Sequence, residues 1–231
     1  MRLAILADTH YNSSKQTNCG GARHTGIADK LVRQAVALIN ETIKPDITIL
    51  LGDLADEADP NDLRVLKNVL DDLDSKVIAI PGNHDGAPDQ FYSIFPKPDP
   101  IVEIGETRFV VHVDEERPGY NAWRSPEDIP LERQARNNWQ GDVVSLQHVP
   151  VFPPGETSCP YHYVNIEDII KTLEESKTTL VISAHFHPGI PPLCHNQVTY
   201  MVVPALCEGN FPVTVVDISK GNVKVREINL R

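Results

Sequence analysis

The chain is short of basic residues, of paired cysteines and of long apolar runs. Lys and Arg number 21 against 32 Asp and Glu, a net charge of −11. A general binder of nucleic acid or acidic membrane draws its affinity from clustered Lys and Arg. Those classes are therefore disfavoured, and the acidic excess reads as a solvated surface. No stretch approaches the roughly 18 apolar residues of a membrane span. Met1 to Ala7 carries one Arg and an apolar stretch shorter than a signal-peptide core, so a cytoplasmic location is expected. The four cysteines, Cys19, Cys159, Cys194 and Cys207, contain no C-x-x-C pair. Scattered reduced thiols are expected rather than a zinc knuckle. No repeat and no low-complexity linker interrupts the 231 residues, which implies a single domain over 1–231.

What is present begins with alternation. Leu3 to Ala7 and Ile47 to Leu51 read as buried strands, and Lys76 to Ile80 as a third strand. A polar, Gly-containing loop runs from Tyr11 to about Arg23. Ile27, Leu31, Ala35, Leu38 and Ile39 recur at helical spacing, as do Leu63, Leu66, Val69, Leu70 and Leu73. Strand, helix, strand, helix, strand implies right-handed crossovers and a parallel sheet. The second half is richer in strands: Ile101 to Ile104 and Thr107 to Val113 around Gly105-Glu106, then Val143 to Leu146, Leu180 to Ser183, and three runs between Val198 and Ile228. Helices are expected over Glu127 to Asn138 and from an Asn165 cap to about Glu175. Val149 to Tyr163, with four prolines, is a loop.

Chemistry-bearing residues follow the strands. Asp8-Thr9-His10, Gly52-Asp53-Leu54-Ala55-Asp56, Gly82-Asn83-His84-Asp85, His148 and His185-Phe186-His187 each come directly after an apolar run. Such strand ends are where an α/β sheet gathers ligands. Carboxylate, imidazole and amide without thiolate suit a pair of divalent ions such as Mn, Fe or Zn. Taken singly, each piece has a plainer reading as a turn or a surface pair. The five in this order do not.

In that order the motifs resemble the calcineurin-like metallophosphoesterases, over Asp8 to His187. The resemblance implies a four-layer α/β/β/α sandwich of two mixed β-sheets flanked by helices. It implies that Asp8, His10 and His187 hold one divalent ion, that Asn83, His148 and His185 hold the other, and that Asp53 bridges both. A hydroxide between the ions would attack phosphorus. His84 would not ligate but would face the phosphate and the leaving oxygen, with Asp56 as partner of its far nitrogen and Asp85 as the weaker choice. Asn83, His84 and Arg23 would contact substrate. Ala184 stands where the family usually has Gly.

The expected activity is hydrolysis of a small phosphoester, most simply a nucleotide-like diester. A phosphomonoesterase and a nucleotide pyrophosphohydrolase are the alternatives on the same site. The oligomeric state stays open. A non-catalytic scaffold of the same fold is the rival from another class, and an intact ligand set speaks against it. An amidohydrolase-type zinc enzyme would place H-x-H early, not late. His112, His162 and His195 stay unassigned, with loop 149–163 a candidate pocket wall. Trp123 and Trp139 read as packing.

Overall fold

The structure, a computed structural model, describes residues 1–14 and 23–230. Most of the expected loop between Tyr11 and Arg23 lies outside the described residues, as does Cys19. Two mixed sheets stack face to face. The first takes β1 (Arg2–Leu6), β2 (Ile47–Leu51) and β3 (Lys76–Ile80) as parallel neighbours. The second contains β4 (Ile101–Ile104) and β5 (Thr107–Val111) as an antiparallel pair. A short hairpin of β6 (Glu115–Arg117) and β7 (Asn121–Trp123) follows. The second sheet continues with β8 (Asp142–Leu146), β9 (Leu180–Ser183), β10 (Ile190–His195) and β11 (Val198–Val202), in the spatial order β10-β11-β9-β8-β5-β4. The chain then returns to the first sheet as β12 (Pro212–Ser219) and β13 (Asn222–Asn229), giving β13-β12-β1-β2-β3.

Alternation along each strand assigns its side chains to layers. Leu3, Ile5, Ile47, Ile49, Ile78 and Ile80 meet Phe109, Val144, Leu146 and Ile182 between the sheets. Ala4, Leu6 and Leu50 face the opposite way, onto α1 (Ala28–Leu38) and α2 (Pro60–Leu70). Each fully buried Leu or Ile contributes roughly 1.5–3 kcal/mol. This central layer is what forces the two sheets into register. Asp59 caps α2, accepting from Asn61 N at 2.8 Å with Pro60 in the first turn. A five-residue α3 (Pro88–Tyr92) follows β3. On the outside of the second sheet lie α4 (Leu131–Arg136) and α5 (Ile166–Glu175), completing helix, sheet, sheet, helix.

Three sequence expectations need correction. The helix over 127–138 is confined to α4. Asn165 stands at the N-cap of α5 without capping it. Its amide is used on Arg124 instead, accepting from N at 3.3 Å and donating to O at 2.8 Å. β10 was hidden by Pro191 and Pro192. Proline removes ladder donors and is tolerated only at edges or bulges, and β10 is an edge strand whose register shifts between Ile190 and Leu193. Among the described residues no helix is long and apolar enough to cross a membrane.

Candidate metal centre

β1, β2, β3, β8 and β9 all release their chains at one end of the paired sheets, and each release carries one motif. The loops are laced together past the strands. Asp8 N donates to Gly52 O at 2.9 Å, and His10 N to Asp53 O at 2.9 Å. The two sheets are joined by His185 N donating to Asp8 Oδ2 at 3.2 Å. Asp85 braces from below: its oxygens accept from Ala55 N at 2.8 Å and Gly82 N at 2.9 Å. Its role is structural, and it is not the partner of His84.

Backbone strain concentrates here. Asp8, His10, Asp53 and His185 all have positive φ, at 52°, 45°, 52° and 67°. Each such non-glycine residue costs on the order of 1–3 kcal/mol and persists where surroundings over-determine it. Gly52, at φ 91°, answers both strain and space, because a Cβ there would stand 2.5 Å from His148 Nδ1. Gly82 is a matter of space alone: a Cβ would collide with Asp53 Oδ1. Ala184 is absent from the positive-φ positions, so its methyl group brings no backbone strain.

The candidate ligating atoms form two joined groups. Asp8 Oδ1 lies 4.0 Å from His10 Nε2 and 3.6 Å from His187 Nε2. The two Nε2 atoms are 3.1 Å apart. On the other side, Asp53 Oδ2 is 3.3 Å from His148 Nε2, which is 3.2 Å from His185 Nδ1. Asp53 Oδ2 is also 3.6 Å from His10 Nε2, so one carboxylate oxygen touches both groups. Its Oδ1 accepts from His84 N at 2.9 Å. Asn83 Oδ1, Asp8 Oδ1 and His185 Nε2 are buried and have no hydrogen-bond partner among the described residues.

The far sides of the imidazoles decide which nitrogen carries a proton. His187 Nδ1 lies 2.6 Å from Glu208 Oε1, and His10 Nδ1 lies 3.3 Å from Asp56 Oδ1. His148 Nδ1 lies 2.8 Å from Leu51 O. Protons placed on these Nδ1 atoms leave Nε2 lone pairs pointing at one another and at Asp8 and Asp53. A bound cation would relieve that convergence, and hard-to-borderline divalent ions match the donors.

The electrostatics agree. Burial raises the Asp8 carboxyl to about 8, helped by Asp53. Burial lowers His10 to about 4 and His185 to about 3. Against burial, Asp53 and Asp8 raise His148 to about 10, while His148 and His10 hold Asp53 low. Metal-free, these directions leave one ion pair, His148 with Asp53, beside an uncharged Asp8, His10 and His185.

His84 stands at the edge of this cluster, 4.7 Å from the His10 ring in an edge-on arrangement. Its Nδ1 lies 2.7 Å from Asp56 O. Asp56 thus meets His84 through its main-chain carbonyl, and its carboxylate turns to His10. Arg23 approaches from the same flank, 3.8 Å from Asp56 Oδ1 and 3.6 Å from Glu208 Oε1. Glu208 was not singled out from the sequence, since it carries no motif. The neighbouring Cys207 is buried. Burial pushes its thiol up, which makes it a poor ligand.

The other unassigned residues sort themselves. His195 is at the surface with Glu156 and Glu174, at 3.2 and 3.9 Å. His162 N donates to Asn121 Oδ1 at 3.0 Å, pinning loop 149–163 to the β6–β7 hairpin. Tyr161 from that loop stands 4.3 Å from the His185 ring. Trp139 is covered by Arg108 at 4.2 Å, and Trp123 by Arg117 at 5.1 Å.

Strand-end carboxylates, imidazoles and an amide on an α/β/β/α sandwich define a dinuclear-metal hydrolase. The calcineurin-like phosphoesterase profile matches residues 1–189, and the chain belongs to that family. It is a metallophosphoesterase. Among solved structures, it is similar to a dimetal phosphatase from Danio rerio at 13% identity, covering 99% of this chain and 96% of that one, with a TM-score of 0.79. A purple acid phosphatase from yellow lupin seeds superposes at 13% identity, 98% of this chain, 51% of that one and TM-score 0.64. A novel archaeal phosphodiesterase gives 14% identity, 99% and 100% coverage, and TM-score 0.52. At these identities the likeness establishes the fold. No curated protein sequence matches the chain.

Proposed function

We propose that the chain is a phosphodiesterase for a small, nucleotide-like phosphoester, dependent on two divalent ions. Asp8, His10 and His187 would hold one ion, Asn83, His148 and His185 the other, and Asp53 would be shared. Manganese, iron and zinc all fit these donors. Bound there, such ions supply a water-derived nucleophile near neutral pH and neutralise the phosphate oxygens. The observation that carries this reading is the position of Asp53 Oδ2, 3.6 Å from His10 Nε2 and 3.3 Å from His148 Nε2.

The remaining work falls to side chains that do not ligate. His84, donating Nδ1–H to Asp56 O, keeps Nε2 for the substrate side; with the ring carrying its second proton, Nε2–H can stabilise the departing oxygen or pass that proton to it. Arg23, held between two carboxylates, can offer its fork of donors to a phosphate oxygen. A diester over a monoester is supported by the cavity of about 540 Å³ that opens beside Asn83 and His148, space that a monoester with a small leaving group would not need. The test is a metal-supplemented assay comparing p-nitrophenyl phosphate with bis(p-nitrophenyl) phosphate, followed by a nucleotide panel. The reading expects the diester to be preferred. A chain loaded with metal that hydrolyses only monoesters would overturn it.

A further inference from the structure

The cavity beside the centre reaches from the segment Pro81–Pro88 to the β6–β7 hairpin, and its size is within the roughly 300–1,000 Å³ of small-molecule sites. Most of its charged groups are engaged by neighbours. Arg124 forks onto Asp114 at 3.0 and 2.9 Å, with Tyr163 donating at 2.7 Å. Arg117 forks onto Glu115 in the same way. His112 is turned to Glu132, its Nε2 2.7 Å from Oε1. Glu116 is exposed to water.

What the wall offers a ligand is apolar surface. Val113, 37% exposed, and Tyr120, 56% exposed, are large apolar side chains left open, and both line this cavity, with the exposed Pro88 opposite the hairpin. Small-molecule pockets are built this way, with apolar and aromatic side chains around a few placed polar groups.

Tyr120 is held there against its backbone preference. Pro118, Gly119 and Tyr120 join β6 to β7. Tyr120 has φ 60°, a region that suits glycine and that a bulky side chain rarely adopts. Strain of this kind gathers at ligand sites. The hairpin is tied down: Ala122 N donates to His162 O at 3.0 Å, and Val164 N to Ala122 O at 2.9 Å. The Tyr120 ring stands 6.3 Å from the His185 ring and meets Tyr161 edge-on at 6.5 Å. An exposed aromatic ring is thereby fixed beside a candidate ligand of the centre.

We propose that this cavity takes a flat, uncharged aromatic ring from the organic half of the diester, a nucleobase or an aryl group, and stacks it on Tyr120. Every base has a π face, so stacking selects for the ring without reading its edge. Tyr120 is then a specificity-determining residue that touches substrate away from phosphorus. The proposal rests on the phosphodiesterase reading above and names the group that sits beside the phosphate.

The test uses the manganese-loaded chain and two diesters whose leaving group cannot stack: the trifluoroethyl phosphodiester of thymidine at its primary hydroxyl, and the same ester of the abasic tetrahydrofuran sugar. Fluorine NMR reads the released trifluoroethanol. The base-bearing ester should be favoured in kcat/KM by roughly tenfold, within the usual weight of one base on one aromatic ring. Tyr120→Ala should bring the ratio close to one with bound manganese unchanged. Tyr120→Phe, which keeps the ring, should preserve the preference. Equal or reversed kcat/KM for the two esters, a preference that survives Tyr120→Ala, or one lost in Tyr120→Phe would overturn the stacking site and leave the phosphodiesterase reading standing. Hydrolysis of neither ester by a chain holding two manganese ions would overturn that reading, and this proposal with it.

Discussion

His187 Nδ1 and Glu208 Oε1 stand 2.6 Å apart, so an acid with no motif around it orients an imidazole of the candidate metal cluster. Carboxylate-backed imidazoles are better donors, and loss of such a partner weakens metal affinity by roughly 10–100-fold. Glu208→Gln should therefore lower manganese affinity within that range, and Glu208→Asp should lower it less. Calorimetric titration reads both. Unchanged affinity in Glu208→Gln would remove Glu208 from the account.

Gly82 tests the crowding at Asp53. A Cβ there collides with Asp53 Oδ1, so Gly82→Ala should displace the shared carboxylate and reduce metal content and turnover together. Gly155, at φ 86° with nothing within 4 Å of its added Cβ, is the control. Gly155→Ala should cost about 1 kcal/mol of stability through its backbone and leave metal content intact.

His84→Ala separates chemistry from ligation. Its Nδ1 is held on Asp56 O and its ring meets the His10 ring edge-on, outside the seven proposed ligands, so metal content should stay near the wild-type level. Turnover should fall by roughly 10²–10⁴-fold, the usual weight of a general acid. Wild-type-like turnover would contradict the assignment.

Much of this was legible from residue order. Leu3 to Ala7 and Ile47 to Leu51 are apolar runs buried from both sides, Lys76 to Ile80 is buried from Ile78 onward, and each delivers its motif to the same end. What stayed hidden had a physical reason. β10 places prolines at an edge, where lost donors go unmissed. β6 and β7 have three residues each, too few for a period. Asp56 was readable as a residue but not as an orientation, because its carbonyl and its carboxylate serve different histidines. Glu208 lies in a loop with no pattern, and only the folded chain brings it to His187.

The buried network around Arg124 should govern acid stability. Glu132 falls to about 2 in the folded chain against 4.5 as its ordinary value. A depressed carboxyl contributes stability that is present above 4.5 and lost as pH falls through about 2. Glu132→Gln should cost about 3 kcal/mol near neutrality, since Arg124 and His112 lose a buried partner. It should also flatten the loss between pH 4.5 and 2. Urea midpoints of metal-free protein across that range read both effects.

The central claim is tested most directly by anomalous diffraction from crystals soaked in manganese. The account predicts two peaks roughly 3.5–4 Å apart, one among Asp8, His10 and His187, the other among Asn83, His148 and His185, with Asp53 between them. Manganese peaks elsewhere with none among these seven side chains would contradict it.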